Sequence, residues 1–184
     1  MSSRAEVPAA RVRLFALTDA IRAVAPLDAP ADVRLRQFFR SRPKMGKADR
    51  AEVAEGVFAY LRRKRSIEAL ADSRDPRSLA LATLVRELGH SVRDLAEALK
   101  PDEREWLAAF KGRVGSPLPD AVAADLPDWL WERLGEVMGA EGRAEFARTA
   151  TGRAPMDLRV NALEATREEA LAQLARDGID ATPT

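Results

Sequence analysis

A chain of 184 residues, 46% hydrophobic and 32% charged, is long enough to bury a core without covalent staples. It has no cysteine, which excludes disulfides, thiolate nucleophiles and thiolate zinc sites together, and its one histidine, His90, would have to carry any imidazole chemistry alone. The net charge is only +1, yet residues 1–70 hold 15 Lys and Arg against 8 Asp and Glu, while residues 71–184 hold 15 against 21. Such asymmetry points to an anionic partner for the first part.

The opening MSSRAEVPAARVRLF carries acid early and no long apolar segment, so no secretory signal is expected. The longest apolar run, LALATLV from Leu79 to Val85, is far short of the ~20 residues that cross a bilayer. The expectation is a cytoplasmic protein without a membrane partner.

The first 150 residues read as almost entirely helical. In RVRLFALTDAIRAVA, apolar residues recur at threes and fours: Val12, Phe15, Leu17 to Ile21, then Val24. Pro26 and Pro30 bracket the turn that follows. ADVRLRQFFR gives a second short helix with Val33, Leu35, Phe38 and Phe39 inward, and SRPKMGK is a loop. KADRAEVAEGVFAYLRRKR is the clearest helix, with a stripe of Val53, Val57 and Leu61 widened by Ala54 and Phe58. Acid at its start and Arg62 to Arg65 at its end match the helix dipole.

SIEALAD is expected to start at Ser66. DPRSLALATLVRELG is expected to be capped by Asp75, with Pro76 in the first helical position and Gly89 ending the helix. SVRDLAEAL and KPDEREWLAAF read as two more short helices, the second started by Asp102 and Glu105. After the loop RVGSPLP, a helix begins at Asp125 and EGRAEFARTAT follows. Trp129 and Trp131 are two apart and cannot share a face, so one is expected inside and one partly exposed.

The pattern changes after Gly152. DLRVNAL alternates like a strand, with Leu158 and Val160 on one face and Arg159 and Asn161 on the other. Thr166 and Glu169 form a capping box for a helix carrying Leu171 and Leu174, which Gly178 ends. The fold class expected is mainly α: a helical bundle over residues 1–150, then a short, incomplete α/β unit over 151–184.

No phosphate-binding glycine loop, dinucleotide fingerprint, zinc-protease motif or calcium loop is present. His90 follows a helix-ending glycine without a partner set and reads as a surface loop residue. No metal site and no catalytic residue is assigned. The positive signal is basic. Arg34, Arg36, Arg40, Arg42, Lys44, Lys47 and Arg50 fall within seventeen residues and only Asp49 opposes them; Arg62, Arg63, Lys64 and Arg65 follow. Arginines in such number hold phosphates through bidentate hydrogen bonds and counterion release. A solvated face with dipole-matching charges is the plainer reading, and for Arg62 to Arg65 it weighs equally. Phe38 and Phe39, at helical spacing, are core residues more often than stacking platforms. Arg159 and Asn161 can contact RNA or cap neighbouring loops.

DRAEVAEGVFAYLRRKRSIEAL resembles the signature helix of NusB-type RNA-binding domains, in the version fused to RsmB-type (Sun/Fmu) ribosomal RNA cytosine-C5 methyltransferases. LPDWLWERLGEVMG followed by RAPMDLRVNALEATREEALAQLARDGIDATPT resembles the junction with a small α/β RNA-binding subdomain in those enzymes. The resemblance implies a NusB-like domain over residues 1–150 and the start of that subdomain over 151–184. It implies ribosomal RNA as partner, with contacts at Arg40 to Arg50, Arg62 to Arg65, Arg159 and Asn161. Such enzymes use S-adenosylmethionine and two cysteines, one attacking cytosine C6 and one assisting product release. This chain has neither the cysteines nor the cofactor loop, so no cofactor is assigned to it. S-adenosylmethionine belongs to a full-length parent and its further methyltransferase domain. The tail is expected to be cut before its sheet closes, and self-association of the domain is a further expectation. Two alternatives stand beside this reading: a free-standing NusB-like antitermination adaptor, and a helical protein-interaction module without an RNA role.

Overall fold

The computed structural model describes residues 9–152, 154 and 156–183, with only the backbone of Ala9 and Ala10. Among them lie nine helices and no strand. The chain forms two compact units, Met1–Gly152 and Arg153–Thr184.

In the first unit, α1 (Ala9–Val24) packs against α2 (Ala31–Arg40), α3 (Lys47–Arg62) and α5 (Pro76–Arg86). Leu14, Leu17, Ile21 and Val24 are its buried stripe, at most 3% exposed, each contributing about 1.5–3 kcal/mol of burial. Val12 and Phe15, expected inward, are 53% and 47% exposed. Phe15 directly follows Leu14 and Val12 lies two residues before Leu14, so both fall off the stripe that the three-and-four spacing selects. On α3 the buried face is Val53, Gly56, Val57 and Tyr60, while Phe58 turns outward. Glycine at 56 lets α1 approach, since a Cβ there would lie 2.8 Å from Leu17 Cδ1.

α3 breaks at Arg63 (φ −121°, ψ 23°) and α4 (Lys64–Ala71) leaves in a new direction. Ser66 is therefore the third residue of α4 and not its cap. Asp75 caps α5 as expected, its Oδ2 accepting from the N–H groups of Arg77 and Ser78 at 3.1 and 2.9 Å, with Pro76 at the first position. Ser91 and Asp94 exchange hydrogen bonds (2.8 and 3.1 Å), but residues 92–98 close into successive turns rather than the expected helix. Leu95 and Ala98 still anchor the segment to the core. α6 (Pro101–Arg113) starts one residue ahead of Asp102, and Glu103 Oε2 accepts from the Lys100 N–H at 2.8 Å.

α7 (Asp120–Ala123) leads to α8 (Asp128–Ala150), which begins three residues after Asp125, the expected start. Asp125 instead takes a left-handed backbone (φ 55°). α8 is broken at Gly139 (φ 72°, ψ 179°). A straight helix would separate Trp131 and Arg143 by about 18 Å along its axis. Arg143 stacks 4.3 Å over the Trp131 ring, so the chain doubles back at Gly139. Trp129 is 68% exposed and Trp131 only partly buried, so the two differ in exposure as expected but neither is in the core.

In the second unit, residues 156–161 form no ladder, which corrects the expected strand: no other described segment pairs with them. α9 (Arg167–Arg176) carries the expected box, with Glu169 N–H to Thr166 Oγ1 at 3.2 Å and Thr166 N–H to Glu169 Oε2 at 2.8 Å. Gly178 (φ 74°) ends it, and the Ile179 N–H returns to the Leu174 carbonyl at 2.9 Å. No described side chain of this unit is buried, and Leu158, Leu163 and Ile179 are more than half exposed.

Candidate nucleic-acid interface

The α2–α3 connection turns because Pro43 and Gly46 interrupt two helices, and it is held from below. Arg50 on α3 donates from Nε to the Met45 carbonyl (2.9 Å) and from Nη2 to the Arg42 carbonyl (3.3 Å). Arg42 itself is fixed twice: Nη2 donates to Asp19 Oδ2 at 2.8 Å, and its guanidinium lies 3.9 Å over the Phe38 ring. Asp19 is shared with Arg22 at 2.6 Å. Phe38 is buried at 6% exposure and Phe39 partly buried, so both belong to the core.

The other members of the first basic cluster divide into paired and unpaired groups. Arg34 makes a bidentate pair with Asp28, with Nε to Oδ1 at 2.9 Å and a second bond from Nη2 to Oδ2. That hydrogen-bonded guanidinium holds the Asp28 carboxyl below its usual range. Arg36 reaches Asp32 one turn away at 3.2 Å. Arg40, Lys44 and Lys47 are exposed and have no ion-pair or hydrogen-bond partner among the described residues. They are the cations of this loop open to a phosphate.

Arg62 to Arg65 are placed differently. All four are about one-third exposed and bound within the first unit: Arg62 to Glu55 (3.4 Å), Lys64 to Glu68 (2.7 Å) and Arg65 to Asp128 (2.9 Å) and to the Leu126 carbonyl. Arg63 donates to Thr151 Oγ1 at 3.0 Å and lies 3.8 Å from Asp125 and 3.9 Å from Glu87. Here sequence reasoning missed the key residue. Asp125, its side chain 1% exposed, accepts from the Ser66 N–H (2.8 Å) and the Ser66 hydroxyl (2.7 Å). It caps α4 from 59 residues away. No local signal could have found that cap, because its partner is distant in sequence.

Arg159 and Asn161 belong to the second unit and are exposed. Asn161 opens a turn: its Oδ1 accepts from the Leu163 N–H at 3.2 Å and its carbonyl from those of Glu164 and Ala165. His90 is a partly buried loop residue whose N–H bonds the Leu84 carbonyl at 2.9 Å. Among the described residues no group of His, Asp and Glu is placed to hold a metal ion, and no helix is long and apolar enough to cross a membrane.

Two clefts of about 490 Å³ each flank Arg42. One has apolar walls from Val12, Ala16, Pro43, Met45 and Val53, with Arg13, Lys44 and Asp49 at its rim. The other is polar and gathers Arg22, Arg34, Gln37 and Asp19. Arg13 and Arg22, on the outer face of α1, were not among the expected site residues; their signal is that they flank the buried stripe of that helix. Chemically the region offers guanidinium and ammonium donors on a braced loop, which suits phosphate oxygens.

Residues 126–184 match the family described as the ferredoxin-like domain of RsmF/B-like methyltransferases. This stretch is thereby related to ribosomal RNA methyltransferases of the RsmB and RsmF kind. No curated protein and no solved structure matches the chain.

Proposed function

We propose that this chain is a non-catalytic, RNA-binding part of an S-adenosylmethionine-dependent ribosomal RNA cytosine-C5 methyltransferase. Its helical unit is NusB-like, and it helps to dock ribosomal RNA for a methyltransferase domain outside these 184 residues. The observation that carries this reading is the α2–α3 loop. It is braced by Arg50 and presents Arg40, Lys44 and Lys47 unpaired, in a chain whose residues 126–184 match a methyltransferase-associated domain. Phosphate binding by Lys and Arg is driven by counterion release, so it needs cations that no carboxylate already neutralises. Those three meet that condition. Arg62 to Arg65 do not, and their role in this reading is to hold α4 and α8 in place. Arg34, Arg36, Arg159 and Asn161 remain secondary contacts. S-adenosylmethionine is a ligand of the catalytic domain and not of this chain.

The test is direct. A fluorescent ribosomal RNA fragment titrated with this chain should bind at low salt and weaken steeply as salt rises. A methyl-transfer assay with the chain alone should show no product. Absence of RNA binding at low salt would end the reading, as would methyl transfer by these residues alone.

A further inference from the structure

Residues 156–160 read Met-Asp-Leu-Arg-Val, and their main-chain N–H and C=O groups make no hydrogen bond with any described residue. Met156 and Leu158 are 84% and 68% exposed. Asp157 and Arg159 are exposed, with no ion-pair partner among the described residues. The same five residues complement themselves when a second copy is laid antiparallel on them. Residues directly opposite in such a ribbon share a face. With Leu158 at the centre, it meets Leu158 of the second copy, Met156 meets Val160, and Asp157 meets Arg159 on each side. From this we infer that residues 156–160 are a self-recognition edge, through which two copies of this chain pair as antiparallel strands. The inference goes beyond the RNA reading above and does not rest on it.

Charge selects both the occupant and the register. One face of the ribbon is apolar, with Met156, Leu158 and Val160, and the other holds two Asp–Arg pairs. Centring the ribbon on Arg159 instead sets two arginines opposite each other, which is destabilising. A one-residue slip sets apolar side chains against charged ones. The same patch serves both copies, as a two-fold axis requires. A five-residue ribbon alone is marginal, so it needs an apolar face to cover. The second unit offers one: Leu163 and Ile179 are 94% and 51% exposed, Leu171 and Leu174 of α9 are half-buried, and none of its described side chains is buried. An unpaired edge beside such apolar surface is a template for another chain. Arg159 then faces a carboxylate first, consistent with its secondary place in RNA contact.

The experiment is sedimentation velocity of the full chain over a micromolar concentration series. The unaltered chain should pass from monomer to dimer as concentration rises. Asp157→Arg and Arg159→Asp each set like charges opposite one another at two places, so dimer affinity should fall by about tenfold or more in each. Circular dichroism checks the fold of both variants. An equimolar mixture of the two restores opposite charges at both places, and should dimerise within about threefold of the unaltered chain. Amide hydrogen exchange is a second readout: residues 156–160 should gain protection only at concentrations where the dimer forms. A chain that stays monomeric throughout, a dimer indifferent to both variants, or a mixture that fails to dimerise overturns the inference. Protection of residues 156–160 in the monomer would mean that the edge is covered within one chain, and also overturns it. RNA binding by the α2–α3 loop is untouched by any of these outcomes.

Discussion

Asp125 shows how one carboxylate can organise a distant helix. Its Oδ1 and Oδ2 satisfy the Ser66 N–H and hydroxyl, Arg63 lies nearby, and Arg86 Nη1 donates to Ser66 Oγ at 2.7 Å. Asp125→Ala leaves the Ser66 N–H without its acceptor and removes the buried carboxylate beside Arg63. A loss of about 2–4 kcal/mol is expected in urea unfolding, with Asp125→Asn losing less. A loss below about 0.5 kcal/mol would show that the cap contributes little. A second residue-scale test concerns Arg77 and Glu103, whose side chains are 14% and 13% exposed. Burial alone would raise the Glu103 carboxyl. The Arg77 hydrogen bond, the Lys100 N–H and the charge attraction outweigh it and hold the carboxyl below its usual range. In the acid range the unfolded chain therefore binds this proton more readily, and the pair's stabilisation is lost as pH falls below the ordinary carboxylate value. Glu103→Gln should lower stability at pH 7 by roughly 3 kcal/mol and flatten its decline between about pH 5 and pH 3. An unchanged acid slope would exclude this pair as its source.

Helices with local start and stop signals were legible in the sequence. Asp75 with Pro76, and Thr166 with Glu169 and Gly178, stand where their short-range chemistry puts them. What the sequence hid depends on contacts between elements. Val12 and Phe58 are as apolar as their buried neighbours, and only the approach of α1 and α3 decides which stripe faces in. Residues 92–98 carry a helix-like start but settle into turns that place Leu95 and Ala98 in the core. The alternation of residues 157–163 is real, yet a strand is made by a partner's hydrogen bonds, and none is supplied by the described residues. Gly56 tests the α1–α3 contact. Gly56→Ala meets only the end of the Leu17 side chain, at 2.8 Å, while gaining helix propensity. It should remain within about 1 kcal/mol of the parent, whereas Gly56→Leu should lose about 2–3 kcal/mol by overpacking. A neutral Gly56→Leu would mean that the two helices are not in close contact there.

Across the whole molecule, the excess of Lys and Arg in the first seventy residues correctly marked where cations gather, but not which of them are free. Ion pairing divides them. Arg62 to Arg65 are bound to groups of the first unit, Arg34, Arg36 and Arg42 to aspartates, and Arg50 to carbonyls of the α2–α3 loop. Among the described residues Arg40, Lys44 and Lys47 remain, at the α2–α3 connection that Arg50 braces. The match of residues 126–184 to the ferredoxin-like domain of RsmF/B-like methyltransferases relates that stretch to such enzymes, and under the function proposed above the unpaired cations would be where RNA is met. The most direct measurement is the salt dependence of single-stranded RNA binding by three proteins. These are the unaltered chain, an Arg40→Ala, Lys44→Ala, Lys47→Ala variant, and an Arg62→Ala, Lys64→Ala variant. Each phosphate neutralised in a single strand contributes about 0.7 to the slope of log K against log salt, so the triple variant should shallow that slope by about 2. The double variant should leave it within about 0.5 of the parent, because its cations are already paired. An unchanged slope in the triple variant, or equal shallowing in both, would contradict the account.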